Sequence, residues 1–183
     1  MDEGPKIRRD AEATRARILA AAQAAFARSG YDHVGIREIA AAAGISSPLL
    51  LRYFGSKAGL FEAALIASVS LDAVLSTERA RFGRHLASLF LRQDLDVRPP
   101  VLIGVTAGDP QARAITARIT ESHLIAPLAD WLGGNEPRAR SIEIAMLSTG
   151  FVIYLRQLDV AGPATAALSS WFADTVQAVV DKG

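Results

Sequence analysis

The chain of 183 residues contains no cysteine. Disulfides and thiolate metal sites are therefore excluded, and a reducing, cytoplasmic setting is expected. Charge of either sign is not in excess: 20 Lys and Arg face 19 Asp and Glu, for a net +1. That total alone gives no reason to expect nucleic acid. Long apolar runs are also missing. The longest uncharged stretches, Ile144–Leu155 and Val160–Ala173, fall short of the roughly 20 residues a membrane-crossing helix needs, and Gly162-Pro163 interrupts the second. The charged, Pro-containing start shows no apolar signal region, so no membrane partner is expected. Signatures of catalysis are absent as well. There is no Gly-x-Ser-x-Gly and no His-Glu-x-x-His. His33, His85 and His123 are scattered, without a second ligand at metal spacing. Gly55-Ser56-Lys57 resembles the end of a phosphate loop but lacks the upstream glycine and the hydroxyl residue after the lysine. No catalytic residue, metal or cofactor is expected. A helical enzyme, or an interaction module that never touches DNA, is the alternative reading.

What is present is a helix-turn-helix pattern at residues 35–57. Ile36, Ile39, Ala40 and Ala43 recur at helical spacing. Gly44 supplies the left-handed residue that ends a helix, Ser46 can cap the next one, and Pro48 falls in its first turn. A second short helix then ends near Gly55. Two short helices around a tight glycine turn present one helix to the DNA major groove. At about 100° per residue, Leu50 and Phe54 face inward and Pro48 and Arg52 outward, with Ser47, Leu49, Leu51 and Tyr53 on the flanks. Leucines on an exposed flank fit a surface that meets a partner, for example thymine methyls.

Upstream, Ile18, Ala22, Ala25 and Phe26 make an apolar stripe from Thr14 to Ser29, and Gly30 stops that helix. A flexible start, residues 1–10, carries Lys6, Arg8 and Arg9, which could reach phosphates or simply be solvated. Through Gly59 nine basic residues face six acidic ones; beyond it eleven face thirteen. Positive charge is thus concentrated where a phosphate backbone would lie.

In these motifs the chain resembles the TetR family of bacterial transcriptional regulators. The resemblance runs from Thr14-Arg15-Ala16-Arg17-Ile18-Leu19 through Phe26, Ser29-Gly30-Tyr31, Ile39-Ala40 and Ala43-Gly44-Ile45-Ser46 to Arg52-Tyr53-Phe54, Ser56-Lys57 and Leu60-Phe61. It implies an all-α homodimer: an N-terminal three-helix helix-turn-helix DNA-binding domain, followed by a helical ligand-binding and dimerisation domain. The boundary is expected between residues 1–56 and 57–183. It further implies a repressor that leaves a near-palindromic double-stranded operator when a small molecule binds. Arg37, Ser46, Ser47, Pro48, Leu49, Leu51, Arg52, Tyr53 and Lys57 are the expected DNA contacts. Three positions depart from the family pattern: Gly35 where a Thr or Ser usually caps, Leu51 where a tyrosine often contacts the backbone, and Gly59 where an acidic residue would complete a capping box with Ser56.

Beyond Lys57 helices are expected over 57 to about 80, 84–93, a short piece within 101–108, 109–132, 141–157 and 164–180. The last two are apolar around nearly their whole circumference, and a second copy would cover them. Ile142, Gly150, Ile153, Leu168, Trp171, Phe172 and Val176 are the expected dimer contacts. Polar residues within apolar helices, Thr106, Arg118, His123, Thr149 and Tyr154, with Phe82, Phe90, Ile119 and Met146 as lining, are the expected pocket for a hydrophobic effector.

Overall fold

The computed structural model describes residues 4–69, 71–92, 109–158 and 160–183, with side chains from Arg9 onward. The expected helix within 101–108, and with it the pocket residue Thr106, lies outside the described residues. Among the described residues every regular element is helical. The elements are α1 (Gly4–His33), α2 (Ile36–Ala42), α3 (Ser47–Phe54), α4 (Lys57–Ser68), α5 (Asp72–Leu75), α6 (Phe82–Leu91), α7 (Pro110–Thr120), α8 (Ala126–Leu132), α9 (Pro137–Val152) and α10 (Thr165–Asp181). Two π-helical turns, Glu121–Ile125 and Ile153–Gln157, join α7 to α8 and extend α9.

The first expectation to change is the flexible start. Residues from Gly4 already belong to α1, so Arg9 is an exposed helical side chain rather than part of a loose arm. Gly30 does break the helix, with φ 75° and ψ 168°.

The apolar residues sort into two cores. In the first, Ile18, Phe26, Ile39, Leu50, Leu60 and Phe61 are fully buried. Phe26 and Phe61 meet edge to face at 5.1 Å, a geometry that the ring quadrupoles favour. Ala112 and Ile119 of α7 join this core, so residues 1–56 do not close it by themselves; α4 and α7 complete it. Two polar contacts fasten α7 there. The Tyr31 hydroxyl donates to Gln111 Oε1 at 2.9 Å, and Arg118 pairs with Glu62 of α4 at 2.8 Å. Burial, reinforced by Asp109 and Asp32, pushes the Tyr31 phenol up, which keeps it a donor.

The stretch Lys57–Leu75 is apolar and long enough by composition to cross a membrane. It is not one helix: α4 ends at Ser68, and Val69 is extended (φ −88°, ψ 96°). The apolar content of α4 is used in the core, where Leu60, Phe61, Ala64 and Leu65 are buried.

The second core joins α6, α8, α9 and α10 through Phe82, Leu86, Leu128, Leu132, Phe151, Phe172 and Val176. Arg140 crosses it almost wholly buried, donating to the carbonyls of Gly133 and Val180 at the C-terminal ends of α8 and α10. Each is a negative dipole end, so one cation satisfies two helices.

Candidate nucleic-acid interface

The turn between α2 and α3 closes as the sequence predicts. Gly44 adopts φ +66°, its N–H donates to Ala41 O at 3.1 Å, and the Ile45 N–H donates to Ala40 O at 3.0 Å. This pair of bonds satisfies the last carbonyls of α2 and folds Ile45 back onto the core. Ser46 then caps α3, its hydroxyl accepting from the Leu49 N–H at 3.4 Å. The left-handed Gly55 ends α3.

These caps fix the rotation of α3. Leu50 is wholly buried, and Phe54 is half-buried against the head core. Pro48, Leu49, Leu51 and Arg52 are exposed along the opposite side, while Ser47 is half-buried. Arg37 is exposed on α2, whose neighbour Glu38 pairs with Arg28 at 3.1 Å and ties α2 to α1.

Two expected contacts are drawn inward. Tyr53 is half-buried on the head core, its ring 6.1 Å from that of Phe54. Lys57 lies over the Tyr31 ring at 4.4 Å and donates to the Asp32 carbonyl at 3.4 Å. The ring face and the carbonyl near the end of α1 both attract the ammonium, so its charge is partly committed within the head. One cation was missed. Arg15 is exposed on α1 with its guanidinium 5.5 Å from the Phe54 ring centre, which sets it beside the end of α3. Arg15 stands in the Thr14–Leu19 motif, but nothing local marks it as a neighbour of α3, because Phe54 is 39 residues away.

Gly59 has a reason in the structure. Ser56 accepts from its N–H at 3.0 Å, so half of the capping box is present. A Cβ at Gly59 would sit 2.3 Å from the Phe54 carbonyl oxygen. The missing acid is therefore excluded by the tight α3–α4 turn. Gly59→Glu is expected to lower stability by about 1–3 kcal/mol instead of adding a cap, read as a lower melting temperature.

The expected effector residues do not converge. Phe82 is fully buried in the second core, and Phe90 lies half-buried on it, 5.8 Å from Phe172. Ile119 belongs to the first core. Arg118 is exposed and paired with Glu62, because Ala112, Thr116 and Ile119 take the inner face of α7. His123 is half-buried, its Nδ1 2.8 Å from the Ser122 hydroxyl. Thr149 is half-buried on α9, whereas Met146 and Tyr154 are exposed on the outer side of that helix and its π-helical extension.

That outer side borders an open apolar groove of about 740 Å³ between α9 and α10. Gly150, Leu168 and Trp171 line it, as do Met146 and Tyr154. Ile142 and Ile153 are half-buried and do not line it. Phe172 and Val176, expected at the same surface, are wholly buried instead in the protomer's own core, so they are not available to a partner. Among the described residues no three His, Cys, Asp or Glu side chains are placed to hold a metal.

Residues 18–64 match the family described as "Bacterial regulatory proteins, tetR family", and residues 80–180 match "Tetracyclin repressor-like, C-terminal domain". The HTH-type transcriptional repressor BdcR of Escherichia coli is 30% identical over 111 residues, 55% of this chain and 56% of BdcR. The HTH-type transcriptional regulatory protein RaaS of Mycobacterium tuberculosis is 28% identical over 173 residues, 88% of this chain and 80% of RaaS. In fold, a TetR-family regulator from Rhodococcus sp. superposes with a TM-score of 0.72 at 21% identity, covering 92% of this chain and 98% of that one. NalD, the secondary repressor of the MexAB-OprM multidrug efflux pump in Pseudomonas aeruginosa, gives 0.63 at 22% identity, over 91% and 97%.

Proposed function

The chain belongs to the tetR family of bacterial regulatory proteins, and from that premise we propose that it is a transcriptional repressor, released from a near-palindromic operator by a small apolar effector. The observation that carries the reading is the capped, outward-turned α3, with Arg52 exposed in its last turn, Arg15 beside its Phe54 end and Arg37 exposed on α2. A dimer would set two copies of α3 in successive major grooves and block transcription in the cytoplasm. The open α9–α10 groove supports pairing with a second copy, since the large apolar side chains of Met146, Tyr154, Val160 and Trp171 along it are exposed in the single protomer.

An effector in the body would act through α7. That helix holds the head by Tyr31–Gln111 and Glu62–Arg118, so its displacement would move α1 and α4. The effector must bind the DNA-incompetent arrangement more tightly than the competent one. The aromatic second core, in which Phe151 and Phe172 stack at 4.2 Å and Phe90 lies at the rim, supports an apolar ligand.

The test is binding to the intergenic DNA upstream of its own gene, by fluorescence anisotropy, titrated against salt. Specific binding that weakens steeply with salt is expected, because phosphate contacts release counterions. No salt-sensitive binding there or to any duplex selected from a random library would sink the repressor reading. Arg52→Ala is expected to cost about 1–3 kcal/mol on the bound operator and to relax preference at one base pair, measured by the same titration.

A further inference from the structure

Granted the regulator reading above, we propose that α3 selects its operator chiefly through thymine C5 methyl groups, with Arg52 as its one base-edge hydrogen bonder. The four side chains that α3 exposes are Pro48, Leu49, Leu51 and Arg52. Three of them carry no hydrogen-bonding group. Ser46 lies outside the helix as its N-cap, its hydroxyl oxygen accepting from the Leu49 N–H, and Ser47 and Tyr53 are half-buried. Leu49 and Leu51 keep 36% and 39% of their surface exposed. They are about 160° apart across the exposed side of the helix, with Pro48 and Arg52 between them. A groove-bound α3 thus has an apolar shoulder on each side of a single cation.

In the major groove thymine alone offers an apolar group, its C5 methyl. Leucine against that methyl removes apolar surface of both partners from water. Leucine against the amino group of cytosine or adenine, or against guanine O6, strips water from a polar edge and returns no hydrogen bond. The same side chains therefore favour thymine and reject the alternatives. The expected half-site is thymine-rich on both sides of one guanine.

The experiment uses the full chain and the duplex it selects from a random library. Its affinity is measured for that duplex and for the same sequence with deoxyuridine in place of thymidine, which removes the methyls and keeps the base pairing. The wild-type chain is expected to lose about fourfold in affinity per contacted methyl. Leu49→Ala with Leu51→Ala, melting-checked and with Arg52 intact, is expected to bind the thymine duplex more weakly and to distinguish the two duplexes little. Equal wild-type affinity for both duplexes overturns the proposal and leaves the regulator reading standing. Full thymine preference in the leucine-truncated chain overturns it too, since the methyls would then act through duplex shape. A selection that enriches nothing removes the regulator reading, and this inference with it.

Discussion

Trp171→Glu is expected to leave a folded protomer that no longer pairs and no longer holds its operator. Trp171 is 55% exposed on α10, and Met146 facing the same groove is 69% exposed, so a carboxylate at 171 stays in water in the isolated chain. In a dimer closed over the α9–α10 groove, that carboxylate would be buried without a partner, a cost of several kcal/mol. Gly150→Leu makes the same point by shape. A Cβ at Gly150 meets nothing within 4 Å, so the protomer has room for the side chain, and the helix gains propensity. A second copy packed against that glycine would not have the room. Both variants should melt as independent, folded protomers, run as monomers in sedimentation, and lose roughly 10²–10⁴ in operator affinity as the two heads cease to bind together. Dimers that survive both substitutions would remove the α9–α10 face as the interface.

How much of this was legible depends on how far apart the interacting residues lie in the chain. The helix-turn-helix could be read because its parts are local: Ile39 and Ala40 face the core, Gly44 makes the turn, Ser46 makes the cap, and all lie within eight residues. The outward side of α3 follows from the rotation those caps impose. The body is different. Apolar residues cover nearly all of α10, so periodicity could not decide which side faces the protomer's core. One position of register separates buried Phe172 from exposed Trp171. Met146 and Tyr154, expected as effector lining, share one open groove with the expected dimer residues Gly150, Leu168 and Trp171, and no local pattern separates the two roles. Arg118 looked like a polar group in an apolar helix. Its partner Glu62 is 56 residues earlier, on a helix whose contact with α7 no local pattern announces. Lys57 and Tyr53 matched the family motif by identity, yet the ring of Tyr31 and the core around Phe54 draw them inward.

Gly83 went unnoticed in the sequence for the same reason, and Gly83→Ala is expected to destabilise the chain strongly. In an ordinary helix that change adds up to about 1 kcal/mol of stability. Here α6 lies so close on α10 that a Cβ at Gly83 would be 2.0 Å from the Ala173 carbonyl oxygen and 3.0 Å from the Gln177 nitrogen. Both obstacles are main chain, so no side chain can swing aside and the helices must separate. Separation would loosen Phe82 and Leu86 against Phe172 and Val176, at the centre of the second core. It would also stretch the bond from the Gly83 N–H to Gln177 Oε1, now 3.1 Å, which satisfies a free donor in the first turn of α6. The net loss is expected to be about 2–3 kcal/mol, or roughly 4–12 °C in melting temperature by calorimetry. Gln177→Ala removes that bond without moving the helices, together with the Gln177 Nε2 donations to the Arg79 carbonyl and Asp181 Oδ1, and should cost about 1–2 kcal/mol. Ala173→Gly should not rescue Gly83→Ala, because what blocks the methyl is the carbonyl at 173 and not its side chain. A Gly83→Ala chain that melts at or above the wild-type temperature would mean that α6 and α10 are not in backbone contact in solution, and the second core would have to be assembled differently.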